Sequence, residues 1–346
     1  MLARHMTVTM ASPTRPMTAI GAPIMALGIF SAAALQRLPG GTALVTPLAL
    51  LLAAAWLGMA AVLVRSIRSD GIGCHARPLV DSFAIGTWIA ATVVVGRMAM
   101  LALPDWRWPA IALLAISAAL WLWFMPLALR NGLRLVHAPH VRPSGIILLT
   151  TVATQAVALL ALRLFPDLPA VRAVAPVLVA LGAGCYVVGI GLVITRLRDA
   201  EDWRLEHDWS NANCIIHGAL SITGLALVVG DFFPGTVVLW FWAAVVAVLV
   251  VIELIELARL STRVRWLSLR RALLVYDTSQ WARNFTFGMF YAFTLAFAER
   301  VAIAAAHPTL DAVRRAVLDY GAYVVLALLL IETGLLLGAH HSNGGR

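Results

Sequence analysis

The sequence contains no lysine, and charged residues of every kind make up only 12% of its 346 positions. The 26 basic residues are therefore all arginines, against 17 acidic residues. A chain that is 61% hydrophobic has too few polar side chains to cover the surface of a soluble domain. Its mean hydropathy of +0.88 predicts an all-α membrane protein with several transmembrane helices.

Cysteine is scarce as well, and the usual motifs of enzymes are missing. Cys74, Cys185 and Cys214 are odd in number and widely spaced, which argues against both a disulfide framework and a metal site. The sequence has no nucleotide-binding loop, nucleophile elbow, zincin motif or pair of catalytic carboxylates. We therefore expect no enzymatic activity, no cofactor and no bound metal.

The positive charge is distributed as in a membrane protein. A net charge of +9 could indicate a nucleic-acid ligand, but the arginines fall in short segments between apolar stretches. That placement favours anchoring against anionic lipid, so we expect membrane lipid as a partner and no nucleic acid. With the N-terminus in the cytoplasm, 17 arginines fall on the cytoplasmic side and 7 on the other. The bias predicts a plasma (inner) membrane protein with both termini cytoplasmic.

Apolar stretches recur along the whole chain. They lie at about 17–36, 43–65, 80–103, 108–130, 143–165, 171–195, 210–230, 236–258, 279–298 and 317–338. The odd-numbered stretches begin at a nearly regular interval, which is typical of five helical hairpins in series. We therefore predict a single transmembrane domain, 1–346, with short tails at 1–16 and 339–346.

The two members of each hairpin differ in polarity. Even-numbered stretches such as LALLLAAAWLGMAAVLV are almost wholly apolar, whereas odd-numbered ones such as SGIILLTTVATQAVALLA carry small and polar residues. Small and polar residues within a bilayer face protein or water rather than lipid. The pattern predicts ten transmembrane helices: five odd-numbered helices around a central pore and five even-numbered helices outside them.

The ninth stretch supplies a candidate gate. At 3.6 residues per turn, one of its stripes runs Trp281, Phe285, Gly288 and Ala292, with rings in the first half and small residues after them. This stripe suits a helix that lines a narrow pore and places one aromatic ring across it, where the ring blocks hydrated ions. Phe285 is the predicted pore gate, and the alternative is that its ring packs between helices.

Other residues of the odd-numbered stretches are candidates for the pore wall. Hydroxyl and amide groups there could bind an anion without the deep trap that a full charge would create. The alternative for these residues is hydrogen bonding or close packing between helices. The candidates are Gly28, Thr92, Thr151, Thr154, Gln155, Gly218, Trp281, Gly288 and Ala292.

Three ionisable residues have two interpretations each. Arg283 and Arg97 could attract anions at the ends of the pore, or could reach the membrane interface or pair with acids such as Glu253 and Glu256. His217 lies near the middle of the seventh stretch. It could serve proton coupling or be a hydrogen-bonded structural residue.

Five strings occur in order along nearly the whole chain: MALGIFS at 25–31, AATVVVGR at 90–97, GIILLTTVATQAVALLA at 145–161, HGALSITGLA at 217–226 and WARNFTFG at 281–288. Together they resemble the tellurite-resistance/dicarboxylate-transporter family, which includes the plant slow anion channels. In the family's ninth helix the gating Phe follows Trp, Ala and two variable residues, so the resemblance also implies that Phe285 is the gate.

The resemblance also implies an assembly and a class of substrate. It implies a homotrimer in which each protomer holds its own pore, and it implies small anions such as chloride, nitrate, sulfite or dicarboxylates as permeant species. Our leading hypothesis is passive or ion-coupled transport of anions through a pore occluded by Phe285. One alternative is a proton-coupled carrier of a four-carbon, malate-type dicarboxylate, or a sulfite- or tellurite-related transporter. The other is a non-transporting membrane scaffold or sensor.

Overall fold

The computed structural model describes residues 18–199, 204–266, 276–301 and 307–344. These residues form helices and connecting turns, and no strand occurs among them. The all-α class predicted from the composition is therefore confirmed. The predicted N-terminal tail, 1–16, lies outside the described residues.

The main helices follow the apolar stretches of the sequence. The first helix continues through a π turn, Phe30–Ala34, and a 3₁₀ turn, Leu35–Arg37. Two further helices, Gly73–Ala76 and Leu205–Asp208, have only four residues each. The main helices are α1 (Ala22–Ile29), α2 (Val45–Asp70), α3 (Gly86–Ala102), α4 (Trp108–Val136), α5 (Leu149–Leu164), α6 (Pro169–Arg198), α7 (Ile215–Gly230), α8 (Gly235–Trp266), α9 (Gln280–Arg300) and α10 (Pro308–Gly344).

Eight helices in the described ranges, α2 to α8 and α10, are long and apolar enough to cross a membrane. This number supports a multi-pass membrane protein. The first helix with its extension, Ala22–Arg37, is a shorter apolar helix. Helix α9 has 21 residues but is less apolar, since it carries Arg283 and Asn284 within its first two turns. Helix α10 continues to Gly344, so most of the tail predicted at 339–346 is helical instead.

Burial separates the helices into an inner and an outer set. The most apolar windows of α3, α5 and α7 are 78%, 89% and 89% buried, whereas those of α2, α4, α6 and α10 are 22% buried and that of α8 is 28% buried. Most residues of α1 and α9 are buried as well. The odd-numbered helices are therefore inside and the even-numbered helices outside, as the difference in polarity predicted.

The inner helices contact one another in a closed cycle. Helix α1 packs against α3, α3 against α5, α5 against α7, α7 against α9, and α9 against α1. Each outer helix packs against two consecutive inner helices: α2 against α1 and α3, α4 against α3 and α5, α6 against α5 and α7, and α8 against α7 and α9. Helix α10 packs against α9 and the π turn that extends α1. The inner set is thus a five-membered ring.

Glycines bring the backbones of neighbouring inner helices together near their N-terminal ends. A Cβ on Gly21 would collide with the carbonyl of Thr87, one on Gly86 with the carbonyl of Leu149, and one on Gly145 with the carbonyl of Ala212. Small residues allow helices to approach this closely in a membrane, where van der Waals packing drives helix association. The ring is therefore tightest at the end where its helices begin.

Each of the five inner segments carries a hydroxyl group that bonds to its own backbone. Each donates a hydrogen bond to the carbonyl four residues earlier, over 2.7 to 2.9 Å. This side-chain hydrogen bond to the i−4 carbonyl gives the hydroxyl a partner within its own helix, and such bonds often bend the helix. The five residues are Ser31, Thr92, Thr154, Thr223 and Thr294.

Outer-helix tryptophans use three of these hydroxyls as acceptors. The indole Nε1 of Trp56 donates to Thr92 over 2.9 Å, and that of Trp121 donates to Thr154 over 2.9 Å. Trp242, on α8, donates to Thr294 over 3.0 Å. A tryptophan within a bilayer needs a partner for its N–H, and the inner threonines supply one inside the protein. The same contact thus joins α2 to α3, α4 to α5 and α8 to α9.

A buried histidine ties the beginning of the described chain to the bundle. His75 lies in the turn after α2, where Nδ1 is 3.1 Å from the hydroxyl of Thr18 and Nε2 is 3.2 Å from that of Ser66. The indole of Trp88 contacts the imidazole ring edge-on and donates to the carbonyl of Thr18 over 2.6 Å. Burial lowers the pKa of His75, and the nearby Asp70 opposes that effect.

Acidification is expected to weaken this contact. Because the pKa of His75 is lower in the folded protein than the value of about 6.5 for an unperturbed histidine, the unfolded chain binds the proton more readily, and stability falls as pH drops below that value. We expect the apparent melting temperature in detergent to fall between pH 7 and pH 5. His75→Gln should reduce that fall and should cost about 1 kcal/mol for each lost hydrogen bond at pH 7.

His137 provides the matched control. It is an exposed histidine beyond the end of α4, so His137→Gln should keep the full pH dependence of the melting temperature. An unchanged pH dependence in His75→Gln would contradict the assignment of that dependence to His75.

Candidate functional site

A cavity of about 250 Å³ lies inside the ring of inner helices. All five inner helices line it, together with the extension of α1, and no outer helix lines it. It extends toward the C-terminal ends of the inner helices and, on α9, begins in the first half of the helix, at Phe285. Its lining residues are Ile29, Ala32, Ala33, Gln36, Arg37, Ala90, Val93, Val94, Arg97, Ala156, Leu159, Leu160, Arg163, Ile222, Leu225, Phe285, Met289, Ala292, Leu295, Ala296 and Glu299.

Phe285 lies at one end of the row of α9 residues that line this cavity. On α9 the lining residues run from Phe285 to Glu299, a distance of about 21 Å along the helix at 1.5 Å per residue. Phe285 is the lining residue nearest the beginning of α9, and only 1% of its surface is exposed. Ala292 and Ala296 also line the cavity on α9, and their small side chains leave space beyond the phenyl group of Phe285. Of the predicted stripe, Phe285 and Ala292 line the cavity, whereas Trp281 and Gly288 do not and Met289 and Leu295 do.

The wall of the cavity is apolar and its mouth is charged. Alanine, valine, leucine and isoleucine side chains form most of the wall. At the mouth Arg37 pairs with Glu299 over 2.9 Å, but both side chains are at least half exposed, so the pair adds little stability. Arg97 and Arg163 line the same mouth, and neither has a hydrogen-bond or ion-pair partner within the described ranges. Two guanidinium groups are thus available to a ligand.

The sequence pattern identified Arg97 but missed Arg163. Both arginines lie in the last two turns of consecutive inner helices, α3 and α5. Each arginine follows an inner hydroxyl toward the end of an odd-numbered stretch: Arg97 lies five residues after Thr92, and Arg163 lies nine residues after Thr154. An arginine near the end of an odd-numbered stretch was therefore the signal for the second residue.

The polar residues predicted for the pore wall point away from the cavity. Besides the tryptophan contacts of Thr92 and Thr154, Thr151 donates to the carbonyl of Gly182 on α6 over 3.0 Å. The side-chain amide of Gln155 donates to the carbonyl of Val179 and to the hydroxyl of Thr223, over 3.1 and 3.2 Å. The structure therefore places these four groups in interhelical hydrogen bonds, which was the alternative interpretation.

The predicted glycines and Trp281 also lie at helix contacts. A Cβ on Gly28 would meet the side chain of Val94, one on Gly218 would meet Thr286, and one on Gly288 would meet Ile29. The indole of Trp281 donates to the hydroxyl of Tyr276 over 3.1 Å. None of these four residues lines the axial cavity. Among the predicted wall residues, the cavity brings together Ala292 with the gate candidate Phe285 and with Arg97.

Arg283 lies outside the cavity, in a paired cluster on the other side of α9. Its guanidinium donates to Glu253 on α8 and lies 4.0 Å from Glu256. Glu256 also accepts from the indole of Trp209 over 2.7 Å and lies 3.6 Å from Arg259. Of the two interpretations of Arg283, the structure thus shows pairing with α8 acids.

His217 is fully buried next to α9 and does not line the axial cavity. Its imidazole contacts the ring of Phe287 edge-on, with centroids 5.9 Å apart. Neither ring nitrogen has a hydrogen-bond partner in the part of the chain that the structure describes. The hydrogen-bonded structural interpretation is therefore not what the described residues show, and proton coupling stays a prediction. The same residues contain no group of three His, Cys, Asp or Glu side chains that could hold a metal ion.

Comparisons with protein-family models and with curated proteins found no match to this chain. The family resemblance therefore depends on the sequence strings alone. What the geometry adds is an apolar cavity enclosed by five helices, with an aromatic ring at one end and unpaired arginines at the other.

The threonine contacts can be tested separately from the cavity. Thr154→Val removes the acceptor of Trp121 while leaving the cavity wall intact, because the hydroxyl faces α4. We expect a loss of about 1 kcal/mol in unfolding free energy in mixed micelles and no change in anion flux. A double-mutant cycle with Trp121→Phe should give a coupling of about 0.6 kcal/mol. A large change in flux with unchanged stability would instead indicate that Thr154 lines the pore.

Proposed function

We propose that this protein conducts anions across the membrane as a channel or permease of the tellurite-resistance/dicarboxylate-transporter type. In this proposal ten helices form five hairpins around a pore, and Phe285 is the occluding residue. One observation carries the proposal: all five inner helices line the cavity, and Phe285 is its lining residue nearest the beginning of α9. Rotation or displacement of the Phe285 side chain would extend the passage toward the opposite end of the inner helices.

The charges of the cavity support anions as the permeant species. The lining includes Arg37, Arg97 and Arg163 against a single acid, Glu299. Arginines at the mouth of a low-dielectric cavity raise the local concentration of anions. Deeper in, the wall offers no fixed charge that would hold an anion tightly, which suits conduction.

The arginine distribution supports an orientation for this pathway. The inner helices begin at the end of the bundle that, with an inside N-terminus, faces the cytoplasm. The cavity mouth, at their C-terminal ends, would then open to the outside. Phe285, near the beginning of α9, would separate the cavity from the cytoplasmic half of the ring.

A proton-coupled carrier of dicarboxylates is the second candidate. The observation that favours it is the pair of unpaired guanidinium groups, Arg97 and Arg163, on one cavity mouth. Each can bind a carboxylate through two parallel hydrogen bonds, so together they match a dianion better than a halide. This candidate predicts saturable uptake that an uncoupler abolishes and that His217→Asn impairs. A scaffold without transport would give flux equal to that of protein-free liposomes.

Replacement of the gate ring should open the passage. Phe285→Ala removes the side chain that closes the cavity, and we expect chloride and nitrate flux in proteoliposomes to rise about tenfold or more, which is a barrier lower by ~1.4 kcal/mol. The measurement is the initial rate of anion-dependent dye quenching, with reconstituted protein quantified.

Phe287→Ala is the matched control for this experiment. Phe287 lies on the same helix but does not line the cavity, so its replacement should leave the flux unchanged. Because loss of a buried ring can also destabilise a protein, the melting temperature of each variant is measured alongside. A stable, fully reconstituted Phe285→Ala variant with wild-type flux would refute the gate.

Removal of the two free arginines should weaken anion capture. With Arg97→Gln and Arg163→Gln combined, we expect flux at low ionic strength to fall roughly tenfold, and by less at 0.15 M salt, where the screening length is about 8 Å. Arg107→Gln is the control, because Arg107 is exposed at the same end of the bundle but lies outside the cavity. Equal fluxes at low salt for the wild type, the double variant and Arg107→Gln would contradict a role of Arg97 and Arg163 in anion capture.

A further inference from the structure

A second cavity, of about 200 Å³, lies near the opposite end of the bundle from the mouth of the axial cavity. Residues of α8, α9 and α10 form most of its lining, so it is a groove between two outer helices with an inner helix as its floor. It is separate from the axial cavity, with which it shares no lining residue. We refer to it as the α8–α10 groove.

Most charges around the α8–α10 groove already have partners. Arg283 pairs with Glu253, and Glu256 is bonded to an indole and lies 3.6 Å from Arg259. Arg259 also donates to the side-chain oxygen of Asn211. These contacts form one compensated cluster along the α7 and α8 side of the groove.

Three polar groups that line the groove remain without a partner in the described ranges. Glu332 on α10 and Asn284 on α9 are each only 3% exposed, and neither Glu332 Oε1 nor Asn284 Nδ2 has a hydrogen-bond partner there. Arg263 on α8 lines the groove without an ion-pair or hydrogen-bond partner in those ranges. Buried polar groups are costly to leave unbonded, so the groove suits an occupant with complementary charges.

The rim of the groove faces the bilayer. Leu257 and Ile331 line it and are 59% and 57% exposed on the outer surface of α8 and α10. In a membrane protein such exposed apolar residues contact lipid chains. A molecule that enters from this side carries its apolar part along the rim and its polar part inward.

We propose that the α8–α10 groove binds the headgroup of a phospholipid that carries both a phosphate and a primary ammonium. The phosphate is bound by the guanidinium of Arg263 and by the side-chain N–H of Asn284, and the ammonium by the carboxylate of Glu332. A guanidinium forms strong, charge-assisted bonds to phosphate oxygens, and a carboxylate does so with N–H donors. This site depends on the membrane setting of the chain and is independent of anion transport.

Native mass spectrometry of the purified full-length protein tests the site. The probes are phosphatidylethanolamine, phosphatidylcholine, whose ammonium has no N–H, and phosphatidylglycerol, which has no ammonium, all with the same acyl chains. We expect phosphatidylethanolamine to bind about tenfold more tightly than phosphatidylcholine, a difference of ~1.4 kcal/mol. Equal retention of the two lipids by the wild-type protein would overturn the proposal without any variant.

Variants separate the two contacts of the headgroup. Glu332→Gln should abolish the preference for phosphatidylethanolamine over phosphatidylcholine, whereas Arg263→Gln should weaken the binding of all three lipids. Asp319→Asn is the matched control, since Asp319 is an exposed carboxylate on the same helix outside the groove, and its preference should equal that of the wild type. An unchanged preference in Glu332→Gln would overturn the assignment of the ammonium contact.

A soluble headgroup distinguishes a lipid from a free metabolite. Glycerophosphoethanolamine carries the same phosphate and ammonium without acyl chains, and we expect it not to compete at concentrations equal to those of the lipid. Competition at equal concentration would overturn the lipid assignment. Loss of phosphatidylethanolamine binding with normal anion flux would count against the lipid site alone. Loss of flux with normal binding would count against the transport proposal alone.

Discussion

The structure depends on one constraint of the membrane interior: a polar group there is costly unless it has a hydrogen-bond partner. The inner helices satisfy it with hydroxyls that bond to their own backbones and accept from tryptophans of the outer helices, as Thr92 does from Trp56. Gln155 reaches α6 and α7 in the same way. Because these groups are used between helices, the wall of the axial cavity is left to alanine, valine, leucine and isoleucine.

Charge is consequently divided between the two ends of the bundle. At the cavity mouth Arg97 and Arg163 form no ion pair or side-chain hydrogen bond within the described residues, and a mobile anion can approach them from water. At the other end Arg283 belongs to a cluster with Glu253 and Glu256 and is already neutralised. The same residue type thus has a different role at each end, set by whether an acid lies within reach.

Helix α9 joins these features because its two sides face different surroundings. Phe285 and Ala292 face the axial cavity, while Arg283 and Asn284 face the outer helices α8 and α10. Adjacent residues in the sequence therefore serve the proposed gate and the proposed lipid site. A less apolar helix is tolerated in this position because other helices surround it.

The sequence by itself determined the all-α class, the alternation of inner and outer helices, and the side of α9 that carries Phe285. Those features follow from composition and helical periodicity, which are local properties of the chain. Only the tertiary structure decided that Thr151 and Thr154 bond to outer helices, that Arg163 joins Arg97, and that Glu332 Oε1 has no hydrogen-bond partner among the described residues. These outcomes depend on the rotation and register of helices distant in the sequence, and periodicity within one helix does not specify which neighbour its side chains meet.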